Sequence, residues 1–221
     1  DYGDDHFTCF QFDYDWRRDN VENAQRLHDF IEEKAAYVQA ELRARGVDRE
    51  HVTFDIVAHS MGGLLARYYL MYGEADLPAD GSTPTPTWAG AERVERLVMV
   101  GTPNAGSALS IVNLVNGASF APIIPTYDAA LLGTMPALYQ LLPRARHGAI
   151  VDEQGERLDG LLDPEMWQRR QWGLGSPAAD DRLEDLLPDV DDPTERRRTA
   201  IDHQRKCLDR ARQLFAALDV P

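Results

Sequence analysis

An apolar, β-branched run, "HVTFDIVA" (His51 to Ala58), gives way to a helical repeat from about Met61 to Tyr72 with two residues between them. So abrupt a change of period leaves no room for a hairpin, and the helix must fold back over the strand. A strand this apolar is of the kind buried in a parallel sheet. A second such run, Val94 to Val100, follows a Pro-, Gly- and Thr-rich loop and breaks at Gly101 and Pro103. Strand, helix, strand at this spacing predicts βαβ units and an α/β fold with a parallel sheet.

Upstream, "FTCFQFDYDW" (Phe7 to Trp16) is rich in aromatic and β-favouring residues and reads as another strand. Asp19 and Glu22 then make a capping box. Ala24, Leu27, Ile31, Ala35, Val38 and Leu42 recur at gaps of three and four until Gly46, which predicts an amphipathic helix. Beyond Ser107, "ALSIVNLVNGASFAPIIP" is apolar without a strand period, and short helical pieces cut by Pro and Gly follow, as in an insertion packed over a sheet. Residues 144–192 are polar and carry no motif, with Trp167 and Trp172 as isolated anchors. A last helix begins at Asp192, Pro193 and Glu195, and its apolar stripe is Ile201, Leu208, Ala211, Phe215 and Leu218.

With 221 residues the chain is long enough for one sizeable core and need not form two domains. A formal charge of -14 argues against a nucleic-acid partner, which would need a basic face. No apolar run is long enough to span a bilayer, so a soluble fold is expected. Cys9 and Cys207 lack metal-ligand or CxxC spacing and read as small apolar fillers; no metal or organic cofactor is implied.

The junction itself, Ala58-His59-Ser60-Met61-Gly62, fits a nucleophile elbow, a sharp strand-to-helix turn that exposes a serine. The turn brings backbone so close that small residues are expected two before and two after Ser60, and Ala58 and Gly62 supply them, although the strict pattern has Gly at the first place. Gly63 would let the helix begin close to the sheet. The N–H of Met61, at the helix N-terminus, would be half of an oxyanion hole. His59 reads as a packing or pocket residue rather than the general base.

Four segments, "FQFDYDWRRDN", "IVAHSMGGLLARYYL", "LVMVGTPNAGS" and "LLGTMPALYQLLP", together resemble the lecithin:cholesterol acyltransferase-like α/β-hydrolases, in order, from about Tyr2 to Pro143. The resemblance implies an α/β-hydrolase fold: a partial parallel sheet with flanking helices (1–106), a helical lid or cap (107–192) and a core-flanking helix (193–221), all one domain. It also implies acyl transfer on a lipid or ester through an acyl-enzyme on Ser60, by an acyltransferase or a lipase or esterase, with lipid-surface contact through the lid. Trp16, Arg17, Thr102 and Asn104 would line the pocket. A catalytically silent hydrolase used as a binding or scaffold module is the other reading.

In this fold the triad runs Ser, then Asp or Glu, then His. The resemblance places that acid and histidine beyond Pro221, and the oxyanion loop on a strand before residue 1. His147 and His203 read as solvated surface histidines, and nothing in the spacing promotes Asp128 or Asp163. The chain is therefore expected to be a fragment truncated at both ends and inactive alone, with an open slot between the "FQFDYDW" and "VTFDIVA" strands.

Overall fold

The computed structural model describes residues 8–119 and 126–220. These form two compact units, one of residues 8–16, 20–102 and 217–220, the other of residues 17–19 and 103–216. Among the described residues no helix is long and apolar enough to cross a membrane.

The first unit is α/β. Helix α1 (Asn20–Ala44) buries Val21, Ala24, Leu27, Ile31, Ala35 and Val38, the stripe its periodicity predicts. Strands β1 (Phe54–His59) and β2 (Val94–Val100) pair in parallel, with Asp55 opposite Arg96 and His59 opposite Val100. Helix α2 (Gly62–Tyr72) makes the crossover and stops at Gly73, whose φ of 61° only glycine adopts readily. A short 3-10 turn, Ala89–Arg93, leads into β2.

Two expectations differ from this unit. Residues 9–15 form no strand, although their burial alternates as a strand's does, with Phe10, Phe12 and Tyr14 inward and Gln11 and Asp13 outward. The side-chain pattern is local, but a strand needs a ladder partner, and no described residue provides one. Phe7 lies outside the described residues. Likewise β1 is covered on one face alone. Asp55, Val57 and His59 are exposed on the other, Val57 at 73%, and the described residues place nothing over them.

Arg93 and Glu32 tie the turn before β2 to α1 through two hydrogen bonds of 2.7 Å. The Arg93 hydrogen bond holds the Glu32 carboxyl below its usual value of 4.5. Because the folded-state value is depressed, the stability it contributes is present at neutral pH and is lost as pH falls below about 4.5. In urea titrations, Glu32→Gln is expected to be less stable than the parent at pH 7, and the difference should shrink as pH falls below about 4.5 and the carboxyl protonates.

The second unit is helical: α3 (Ala108–Asn116), α4 (Ala129–Gly133), α5 (Pro136–Tyr139), α6 (Pro164–Arg169), α7 (Asp180–Leu186) and α8 (Pro193–Leu218), apart from the last residues of α8. Its core joins Leu114, Leu132, Tyr139, Leu142, Trp167 and Leu208. The stretch without a motif, 144–192, thus contributes a core anchor. Trp167 is fully buried, and its indole N–H donates to Leu161 O at 2.7 Å. Asp128 and Asp163 are helix N-caps, accepting from the N–H groups of Leu131 (2.7 Å) and Glu165 (3.0 Å). Asp192 accepts from Thr194 N–H at 2.9 Å and caps α8 as expected. Buried Asp19 accepts from Gln140 Nε2 and Arg210 Nε, each at 2.9 Å. In the expected lid, α3 covers residues 108–116, and residues 120–125 lie outside the described ones.

The two cysteines part company. Cys207 is the buried filler expected, its thiol pushed up to about 12 by burial and, secondarily, by Asp19. Cys9 is exposed.

Candidate functional site at the strand-to-helix turn

Ser60 occupies the turn between β1 and α2 with φ 52°, a left-handed conformation that non-glycine residues enter at a cost. The surrounding bonds hold it there. Its N–H extends the ladder to Val100 O at 2.9 Å, and its carbonyl accepts from Gly63 N–H at 3.1 Å. Leu64 N–H returns to Met61 O at 2.9 Å, closing the first turn of the helix. Ser60 is exposed while Met61 is buried, so the hydroxyl stands at the tip of the turn with its neighbour packed beneath. Among the described residues, the N–H groups of Met61 and Gly62 donate to no backbone acceptor. They are two orphan donors at the positive end of an eleven-residue helix.

The close approach that shapes the turn falls at Gly63. A Cβ there would lie 2.0 Å from Thr102 Oγ1 and 2.7 Å from its Cγ2. At Gly62 the nearest atom would be Tyr14 Oη at 3.6 Å, an ordinary contact, so space alone does not demand glycine two residues after the serine. Gly63→Ala is expected to cost about 1–3 kcal/mol of stability by overpacking. Adding Thr102→Ala should recover part of it, since the two nearest atoms are removed. Chemical denaturation of the two single variants and the double variant gives the coupling.

Ala58, His59, Ser60, Met61, Gly62, Gly63 and Thr102 thus gather at the carboxyl ends of β1 and β2, where open α/β sheets place ligands. His59 is exposed beside Ser60. Trp16 is 45% exposed in the first unit. Arg17 and Asn104 belong to the second.

The other described histidines are engaged elsewhere. His28 stacks near Tyr69 at 6.1 Å and faces Glu74 at 3.8 Å, and His51 bonds Glu92 O at 2.8 Å. His147 is exposed on a short turn of the second unit. His203, read from sequence as a solvated residue, is instead half-buried between Thr134 O (3.2 Å) and Cys207 Sγ (3.4 Å), because α8 turns that face into the core. Ser60 hydrogen-bonds no histidine or carboxylate among the described residues, and no group of three His, Cys, Asp or Glu side chains there could hold a metal ion.

Sequence reasoning passed over Tyr14. Its ring stacks on Phe12 (6.0 Å, 16°), its hydroxyl lies beside Gly62, and burial raises the phenol above its usual ionisation range. The signal was present in the period-two alternation Phe10, Phe12, Tyr14, which sets all three on one side.

The chain matches the lecithin:cholesterol acyltransferase family over residues 4–157. It also matches a chain in "The crystal structure of Tle4-Tli4 complex" with a TM-score of 0.56 and 18% sequence identity. That match covers 90% of this chain and 41% of the other, so this chain spans less than half the length of that one. No curated protein matches it.

Proposed function

The chain belongs to the lecithin:cholesterol acyltransferase family, and from that premise we propose that it carries the nucleophile, Ser60, of an acyl-transfer enzyme acting on a lipid or other ester. The observation that supports this most is the conformation of Ser60: an exposed hydroxyl at φ 52° beside two orphan N–H groups at a helix N-terminus. Strain of this kind, about 1–3 kcal/mol, persists where surrounding bonds over-determine it, and it clusters at reactive sites.

In the proposed reaction Ser60 Oγ attacks the ester carbonyl carbon as a general base takes its proton. The carbonyl oxygen becomes an oxyanion held by the Met61 N–H. The tetrahedral intermediate collapses, the alkoxide leaves with the proton, and the acyl group stays on Ser60. Water or an alcohol then takes it by the same steps in reverse. The general base and its acid come from outside residues 1–221 in this reading, which the engagement of His28, His51 and His203 elsewhere supports. The whole protein would be an α/β-hydrolase with residues 107–192 as its lid. Helix α3 carries no charged residue and exposes Leu109 (62%) and Val112 (48%), a surface suited to lipid contact.

A fluorophosphonate probe tests the reading. The complete polypeptide carrying residues 1–221 should be labelled, and peptide mapping should place the adduct on Ser60. A folded polypeptide that takes no label would sink the enzyme reading and leave a binding module with an inert turn.

A further inference from the structure

We propose that Thr83 and Thr85 are sites of O-glycosylation, each taking a neutral sugar on its hydroxyl. Both stand in "GSTPTPTW" (Gly81 to Trp88), an irregular stretch between α2 and the 3-10 turn before β2. Each precedes a proline, Pro84 or Pro86, and a residue before proline is held out of the helical region in extended backbone. Along extended backbone successive side chains point to opposite sides. The burial follows that rule: Pro84 and Pro86 are half-buried, while Thr83, Thr85 and Thr87 are exposed. The segment is also fastened to the end of α2. Tyr72 Oη lies 3.4 Å from Pro84 O, and the N–H groups of Thr87 and Trp88 donate to Met71 O at 3.0 and 2.9 Å. The prolines are thus turned to the first unit and the threonines to water.

The four hydroxyls of the segment are not equivalent. Ser82 Oγ donates to Asp80 Oδ1 at 2.7 Å, a bond that holds the Asp80 carboxyl below its usual range. Thr87 Oγ1 donates to Met71 O at 3.4 Å and accepts from Ala89 N–H at 3.4 Å. Thr83 and Thr85 make no hydrogen bond among the described residues, so a group added to either breaks none. Hydroxyl residues interleaved with proline are the composition that carries O-linked sugars. Charge favours a sugar over a phosphate. From Glu74 to Glu92 the chain has four carboxylates and no Lys or Arg, so a phosphate would add a charge of about −1.5 to −2 with no cation in the segment to pair it. Half-buried prolines also withhold the rings that a proline-directed kinase would grip. In the transfer, threonine Oγ1 bonds to the anomeric carbon of a nucleotide- or polyprenyl-phosphate-linked sugar. The bond from that carbon to the phosphate oxygen breaks, the phosphate leaves with the electron pair, and the hydroxyl proton passes to a base of the transferase. The segment lies at the amino end of β2, separated from Ser60 by the eleven residues of α2, about 16 Å of helix, so the sugars leave the serine uncovered.

Mass spectrometry of the complete polypeptide, isolated from the cells that naturally make it, tests this independently of Ser60. Trypsin, cutting after Arg67 and Arg93, releases residues 68–93 as one peptide whose only serine and threonines are Ser82, Thr83, Thr85 and Thr87. That peptide should carry one or two glycosyl increments, and electron-transfer fragmentation should place them on Thr83, Thr85 or both. Thr83→Val with Thr85→Val, made in the same cells, should abolish the increments, since valine keeps the branched shape and removes the hydroxyl. An unmodified parent peptide would overturn the proposal. So would a phosphate at either threonine, or sugars confined to Ser82 or Thr87.

Discussion

In the complete polypeptide, Ser60→Ala is expected to lower kcat for ester turnover by about 10⁴-fold to 10⁶-fold, with KM nearly unchanged. In the proposed reaction the hydroxyl is the atom that forms the covalent bond, while the N–H donors proposed to hold the oxyanion stay in place. Stability should barely move, because serine and alanine carry the same Cβ into the conformation at φ 52°. Steady-state kinetics with a chromogenic ester, alongside a urea titration, separates the two quantities. A fall in kcat of less than about tenfold would remove Ser60 from the nucleophile's role.

Arg210→Met is expected to destabilise the second unit by about 3–5 kcal/mol, seen as a lower urea midpoint. Asp19 is only 6% exposed, and the guanidinium of Arg210 donates to it at 2.9 Å, as does the amide of Gln140. Removing the cation leaves a carboxylate in a site from which water is excluded. Making both partners neutral, Asp19→Asn with Arg210→Met, should recover much of the loss, because the cost lies in the uncompensated charge rather than in the missing bond. If the double variant is as unstable as the single one, packing by the arginine stem and not charge holds this cluster together.

Helices α1, α2 and α8 were legible because each carries its own instructions: an apolar stripe at three and four, an Asp cap, a Gly stop. The order of β1, α2 and β2 was legible because an apolar strand and an amphipathic helix joined by two residues have one economical arrangement. The turn at Ser60 was legible for the same reason. Tyr14 was not, because its importance rests on what it faces forty-eight positions further along the chain, Gly62, and not on its neighbours in the chain. Nor was the engagement of His203, whose charged sequence neighbours suggested solvent while the helix face it shares with Cys207 and Leu208 turns inward.

By itself the sequence determined the periodic elements and the sharp strand-to-helix turn with its serine, since these are set by residues within a few positions of one another. Tertiary structure alone decided that the close approach falls on Gly63 rather than Gly62, that Asp128 and Asp163 are spent as caps, and that "FQFDYDW" has strand alternation without a strand. The first and last of those depend on a partner distant in the chain, and the caps on where each short helix begins; a side chain's contacts, unlike its periodicity, exist only once the backbone around it has been placed.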